Sequence, residues 1–263
     1  MPCGRLWRTA KVRTNVRPHF ARLHPFVERA RRFSGWEFSD LGLRQLEPGP
    51  PWDFEGLVRR LAATRRAALD LGTGGGELLA KLRPDVPHLA VATEEWVVNA
   101  PIAHRRLSSL GVHVVRAKST RLPFRNSSFD IVVDRHEELS PAEVDRVLMP
   151  GGLLVTQQVG RHNWRELRQH FPRMTDFGDL RSEYVRGFVD CGFEVESSEH
   201  EFRVAYPSLG EFVFMLCVAP WEIPDFDVER DLDALLAFES DCLTKDGLVV
   251  TECRYLVIAR KPE

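Results

Sequence analysis

From Ala67 onward the chain alternates short apolar runs, most of them uninterrupted by polar residues, with amphipathic segments of helical spacing. Strands covered by helices on both faces read this way, because neither face of the sheet meets water. The runs are Ala67–Leu71, 88–93, Val112–Val115, 129–133 and 153–159, the last following the turn Pro150-Gly151-Gly152. Helices are expected over Glu77–Leu82 and from the second run to Leu110. The rhythm predicts a parallel sheet with helices on both faces, and 263 residues suit one large domain.

Past the fifth run the rhythm loosens. Helices are expected around 164–171 and 180–191, then a strand from Glu194 to about Ala205 and a last strand over 249–259. Between those strands, residues 206–247 are too long for a hairpin and form an insert, with an apolar stretch at 212–219 and an amphipathic helix near 228–243. Its Phe212, Phe214, Met215, Trp221 and Phe226 either wall an apolar pocket or are plain core, and Trp36 and Trp52 would form an opposite wall. Ahead of the sheet, Pro48-Gly49-Pro50-Pro51 is a loop, after which Asp53 is expected to cap a helix through Leu61.

Residues 1–35 read as a basic extension, and 36–263 as a single domain. Arg5, Arg8, Lys11, Arg13, Arg17, Arg22, Arg29, Arg31 and Arg32 face one acid, Glu28, before Phe33. Such an arm suits tracking of RNA phosphates, a transit peptide or a poorly ordered extension, and the sequence leaves these open. The net charge of −2 supplies no global pull toward nucleic acid. Five scattered cysteines without a CxxC pair point to reduced thiols, a cytoplasmic protein and no metal site. No apolar run is long enough for a membrane span.

The chemistry starts at Asp70-Leu71-Gly72-Thr73-Gly74-Gly75-Gly76-Glu77, a loop that follows a strand and opens a helix. A phosphate-binding loop gains little from Asp70 just before its first glycine, whereas a ligand bearing an ammonium group does. About 20 residues on, Glu94 with Glu95 beside it ends the second strand, where an acid holds a ribose diol.

These motifs resemble those of class I S-adenosylmethionine (SAM)-dependent methyltransferases of the type 11 kind. The loop is similar to that family's first motif and Thr93-Glu94-Glu95 to its second. Arg121-Leu122-Pro123-Phe124 with Ser128-Phe129-Asp130, and Arg146-Val147-Leu148-Met149-Pro150-Gly151-Gly152, resemble its later ones. The resemblance implies a Rossmann-like α/β fold, a seven-stranded sheet in the order 3-2-1-4-5-7-6 with an antiparallel last strand, and SAM held by Asp70, Gly72, Thr73, Gly74, Gly76, Glu77, Glu94 and Glu95. The family's usual acid near the adenine is replaced by Lys118; the adenine contact then passes to Ser119 or to the backbone, and Lys118, Ser119 and Thr120 are the cofactor candidates of this segment. The resemblance places Arg135, His136 and Glu137, after the fourth strand, toward the methyl group.

Of these, His136 is the base candidate, since an ordinary histidine titrates near neutrality. Gln157 and Gln158 at the end of the fifth strand, with Trp164 and Trp221, are substrate candidates. The leading expectation is methyl transfer to a small-molecule oxygen or nitrogen. The alternatives are an RNA methyltransferase tethered by the basic arm and a SAM-binding fold without methyl transfer.

Overall fold

The computed structural model describes residues 16–263, so the first part of the basic arm lies outside the described residues. In chain order the elements are α1 (Val16–Arg31), β1 (Arg44–Gln45), α2 (Phe54–Ala62), β2 (Ala67–Leu71), α3 (Glu77–Leu82), β3 (Leu89–Thr93), α4 (Ala100–Ser108) and β4 (Val112–Val115). There follow β5 (Phe129–Arg135), α5 (Pro141–Val147), β6 (Leu148–Val159), α6 (Leu180–Asp190), β7 (Glu194–Tyr206), α7 (Leu209–Val218), α8 (Leu232–Cys242), β8 (Leu243–Thr244) and β9 (Gly247–Arg260).

One sheet contains all nine strands, in the order β1-β7-β9-β6-β5-β2-β3-β4, with β8 paired to β9. The seven strands expected from the sequence therefore lie in the order 3-2-1-4-5-7-6. Two additional two-residue strands, β1 and β8, extend the sheet to nine. β4, β3, β2, β5 and β6 are mutually parallel, and β9 runs antiparallel to both β6 and β7. All five residues of β2 are buried, as a strand between two helical layers requires. Phe54, Val58, Leu79, Ala103 and Leu107 cover one face and Val144, Val147, Tyr184 and Phe188 the other.

Two expectations are corrected. The helix expected at 164–171 is only a 3-10 turn, Arg165–Leu167, because Trp164 has a left-handed backbone (φ 52°) and its ring turns into the core. Asp53 stands at the N-terminus of α2, but its side chain makes no capping bond.

The insert forms a third core with α1 on the ends of β7 and β9. Leu23 of α1, Trp164, Phe171, Tyr206, Phe212, Leu235 and Phe238 are buried together there. Phe214 is also fully buried. Phe212 and Phe214 are thus core, while Trp221 is half exposed. Arg22 pairs with Glu239, Arg31 with Glu28, and the Arg29 guanidinium lies 4.6 Å from the centre of the Phe214 ring. These basic residues are therefore engaged within the chain.

Gly210 lets α1 and α7 meet. A Cβ there would stand 2.5 Å from Cδ2 of Phe26, a ring carried on α1. Gly210→Val is expected to lift α1 and lower stability by about 1–3 kcal/mol, the usual cost of overpacking. Thermal unfolding measures it, and an unchanged midpoint contradicts this packing.

Candidate active site

The loop joining β2 to α3 is built by backbone geometry. Gly72, Gly74 and Gly76 have φ of 57°, 62° and 82°, the left-handed region where a Cβ is strained. The turn is tied to the end of β3: Thr73 N donates to Thr93 O (2.8 Å), and Gly72 N donates to Thr93 Oγ1 (3.3 Å). Glu94 accepts from Gly74 N (2.8 Å) and Trp96 N (2.7 Å). The acid that the sequence set against the loop therefore touches it.

Around this loop stand Asp70, Glu94, Asp134 and Glu137. None is ion-paired with a lysine or arginine among the described residues. Burial pushes the Asp70 carboxyl up to about 7, with Glu94 adding to the rise and the Thr73 hydroxyl tempering it. Burial likewise raises Glu137 to about 7, reinforced by Glu94, Glu95 and Glu138. Glu94 is raised chiefly by burial, against the pull of its two backbone donors. Asp134 is fully buried and held well above the usual carboxylate range by that burial.

Asp134 ties the ends of β5 and β6 together. Its Oδ2 accepts from Thr156 Oγ1 (2.8 Å) and Gln158 Nε2 (2.6 Å), and its Oδ1 from Glu137 N (3.2 Å). Gln158 also donates to Glu137 O (2.7 Å), so this amide is consumed in holding the site together. The Glu137 side chain lies across Gly72: a Cβ on that glycine would stand 2.5 Å from Cγ and 2.6 Å from Cβ of Glu137.

Two buried polar atoms at the loop lack a well-formed hydrogen bond among the described residues. Thr73 Oγ1 and Glu77 Oε2 are buried, and neither completes a hydrogen bond of good geometry. The other Glu77 oxygen pairs with Arg106, which also donates to Gly75 O. Orphaned buried groups signal a ligand or water. Buried acids without a countercharge signal a cation.

The remaining sequence candidates divide. Ser119 is buried beside Glu137, whereas Lys118 is exposed and pairs with Glu95 at 3.0 Å, on the outer side of Glu94. Thr120 is half-buried next to them. Trp164 is buried in the third core and donates through Nε1 to Glu252 (3.1 Å), so it faces no open pocket. Gln157 reaches Nε2 of His136 (3.4 Å) and accepts from Trp52 Nε1 (2.9 Å). The His136 backbone is left-handed (φ 67°) and held by its N–H to Gln157 O (2.9 Å). Burial, then the Arg254 and Arg135 guanidiniums, holds the His136 imidazole well below its ordinary value, so it is neutral near pH 7. Arg135 is partly solvent-exposed, yet desolvation lowers its pKa from the usual guanidinium value, against the pull of Glu55 and Glu37.

One element of the site escaped sequence reasoning. Residues 33–38 cross the glycine loop: Gly35 N donates to Asn99 Oδ1 (2.8 Å), and a Cβ on Gly74 would meet Trp36 Cβ at 3.1 Å. The Trp36 ring stacks on Trp221 of the insert at 6.1 Å between centres. The sequence marks Trp36 as an aromatic, but not its seat on a loop 38 residues away.

With this geometry in hand, residues 69–156 match the family described as a methyltransferase domain. These residues form a methyltransferase domain of the class I SAM-dependent kind. Its fold is similar to that of the YcgJ protein from Bacillus subtilis, at 18% identity and a TM-score of 0.57 over 80% of this chain and 98% of that one. It is also similar to a functionally unknown protein from Deinococcus radiodurans R1, at 15% identity and a TM-score of 0.60 over 84% and 92% of the two chains. A third likeness, at 18% identity and a TM-score of 0.53 over 91% and 92%, is to the [4+2]-cyclase SpnF. At these identities the likeness is one of fold. No curated protein matches the sequence.

SAM is the cofactor of this methyltransferase. The residues fit it, since SAM brings a sulfonium and an ammonium to acids that lack a countercation, and donors and acceptors to the orphaned loop atoms. A pH dependence follows. Unfolded carboxyls titrate near about 4, whereas Asp70 and Glu137 titrate at about 7 in the fold. The folded cofactor-free chain therefore binds more protons between those values, and its stability falls as pH rises through them. Thermal unfolding without cofactor is expected to occur at higher temperature at pH 6 than at pH 8. Saturating SAM, which favours the ionised acids, is expected to reduce that difference, and the opposite order contradicts the assigned ionisation.

Proposed function

We propose that the enzyme methylates a small-molecule oxygen or nitrogen nucleophile, with His136 as the proton acceptor, and that it works in the cytoplasm. The observation that carries this reading is the neutral imidazole of His136 at the end of β5, in contact with Gln157, which Trp52 in turn holds. SAM supplies an electrophilic methyl group; the acceptor's lone pair forms the new bond to carbon as the carbon–sulfur bond breaks toward sulfur.

The chain's own residues prepare the acceptor. A neutral His136 takes the acceptor's O–H or N–H proton at Nε2 as the lone pair is committed, the acceptor displacing the long 3.4 Å contact that the Gln157 amide nitrogen makes there. Asp70, Glu94, Glu77 and Thr73 hold the cofactor, with the backbone of Gly72, Gly74 and Gly76. Trp36 and Trp221 form one aromatic wall and Trp52 another, which favours an apolar or planar acceptor. Arg135 is exposed beside His136, where it positions the acceptor's polar end.

No helix of the described residues is long and apolar enough to cross a membrane. The described cysteines Cys191, Cys217, Cys242 and Cys253 are free thiols, which supports the reducing compartment. An RNA acceptor is less well supported, because Arg22, Arg29 and Arg31 are engaged within the chain.

The test is a turnover assay for S-adenosylhomocysteine (SAH) formation with phenols, amines and carboxylates on one side and total RNA on the other. Turnover with a small acceptor supports the proposal, and methyl incorporation into RNA alone overturns it.

A further inference from the structure

Arg135 ends β5, and among the described residues no carboxylate lies within ion-pair reach of its guanidinium. The two acids whose charges act on it are committed elsewhere. Glu55 pairs with Lys81 (2.6 Å), and Glu37 accepts from Ser39 N (3.0 Å). A positive charge partly withdrawn from water without a counterion is costly, and an anionic ligand removes that cost.

Strand register places this charge beside the base. Arg135 pairs with Gln157 across β5 and β6, so the two share one face of the sheet. Alternation alone would send His136 to the opposite face. Its left-handed backbone (φ 67°) turns the ring back, and Nε2 meets the Gln157 amide nitrogen at 3.4 Å. On β9, Arg254 pairs with Val159, two residues beyond Gln157, and so lies on the same face. β5 and β9 flank β6, so the strands that carry the two arginines lie roughly 10 Å apart, two strand spacings. Arg254 is fixed by Asn163 Oδ1 (2.7 Å), Cys253 O (2.8 Å) and Glu252. Three of its N–H donors are thus used, and the rest are uncommitted among the described residues. The two guanidiniums act on each other and on His136, and no acid pairs with both.

The geometry points to an acceptor that carries a carboxylate apart from its nucleophilic O–H or N–H, the carboxylate held by Arg135 with Arg254 beside it. This deepens the preceding reading and rests on it. A carboxylate needs no base to accept a methyl group, whereas a neutral His136 has a task only when the nucleophile brings a proton. The anion is therefore the handle and not the methyl acceptor. It stays intact while the methyl carbon passes from sulfur to oxygen or nitrogen and the displaced proton passes to His136 Nε2. Trp52, whose Nε1 donates to Gln157 (2.9 Å), favours a flat ring between handle and nucleophile. Arg135 is then the residue that sets specificity for the acceptor.

Turnover at pH 8 with matched pairs tests this, read as SAH formation. The pairs are 3- and 4-hydroxybenzoate and 3- and 4-aminobenzoate, each against the corresponding benzamide. The acids are expected to exceed their amides about tenfold in kcat/KM, chiefly through KM, the scale of one charge-assisted contact. In Arg135→Gln the acid-to-amide ratio is expected to fall to about one, and Arg135→Lys is expected to restore part of it. A merely structural role for Arg135 would slow acids and amides alike and leave the ratio unchanged, which overturns the proposal. Equal turnover of acids and amides by the unaltered protein also overturns it, while the small-molecule reading stands. The same holds for a methyl ester as the product. Methylation of none of these probes overturns the proposal, and methyl incorporation into RNA alone overturns the underlying reading with it.

Discussion

Gly72→Ala is expected to abolish measurable cofactor binding while leaving the fold in place. Its backbone is left-handed at φ 57°, where a Cβ costs about 1–2 kcal/mol. The new methyl would also meet Glu137 at Cγ and at Cβ, 2.5 and 2.6 Å away. Cβ is the rigid root of the side chain, and the backbone of Glu137 is tied to Asp134 and Gln158, so Glu137 has little room to withdraw. The strain falls where the loop must pass closest to the ligand. A loss of affinity beyond about a hundredfold, or about 2.7 kcal/mol, is expected by calorimetry. The double variant Gly72→Ala with Glu137→Gly removes the clash with both Cγ and Cβ but not the backbone strain, and is expected to recover part of the binding. Ordinary affinity in Gly72→Ala would show that the loop does not approach the cofactor.

The second large effect is expected at Asp134. Replacing it by Ala deletes the acceptor of Thr156 Oγ1 and Gln158 Nε2 and releases the N–H of Glu137. Thr156 is buried, so its hydroxyl is left without water to replace the lost partner, and the Glu137 N–H loses its acceptor, while Gln158 Nε2 keeps its bonds to Glu137 O and Thr156 Oγ1. Each unsatisfied buried group costs about 1–3 kcal/mol, and a total loss of about 2–5 kcal/mol is expected in chemical denaturation. Cofactor affinity should fall as well, because Glu137 loses its anchor. Asp134→Asn keeps one acceptor oxygen and should cost less. Equal stability of the Ala variant and the unaltered protein would mean that this network does not tie β5 to β6.

A third variant isolates the chemistry. His136→Ala is expected to slow turnover by about 10²–10⁴-fold, the usual contribution of a positioned base, with SAM affinity nearly unchanged. The acid limb of the turnover profile should lie below the ordinary histidine range, because burial and the guanidiniums of Arg254 and Arg135 hold the imidazole neutral. Unaltered turnover with the true acceptor would remove His136 from the mechanism.

The parts of the molecule that local pattern controls were legible in the sequence. β2 is an unbroken apolar run with one acid, and the strand it predicts ends at the same residue, Leu71. α3 runs from Glu77 to Leu82 as its spacing predicts, entered through the left-handed Gly76. The contact of Glu94 with Gly74 was legible too, since β2 and β3 must lie side by side for the chain to return across its own helix.

What was not legible depends on partners far apart in the chain. Helix α5 is only seven residues long, and its cap from Ser140 to Glu143 N is a weak 3.4 Å. Apolar periodicity over so short a segment says little. Trp164 is fated to the core by its left-handed backbone and by Glu252 across 88 residues, neither of which a local reading can supply. Lys118, standing where the family usually has an acid, is exposed and paired with Glu95 instead of facing the loop. The crossing of residues 33–38 over the glycine loop and the seat of Glu137 on Gly72 are products of the assembled sheet.

The central claim is that the acids and glycines at the ends of β2 and β3 form a working SAM pocket. Calorimetric titration of the unaltered protein with SAM, alongside Asp70→Ala and Glu94→Ala, tests it most directly. Saturable micromolar binding is predicted, weakened in each variant by about 1–3 kcal/mol through loss of a charge-assisted contact. Absence of binding by the unaltered protein, or equal affinity in both variants, would contradict the account.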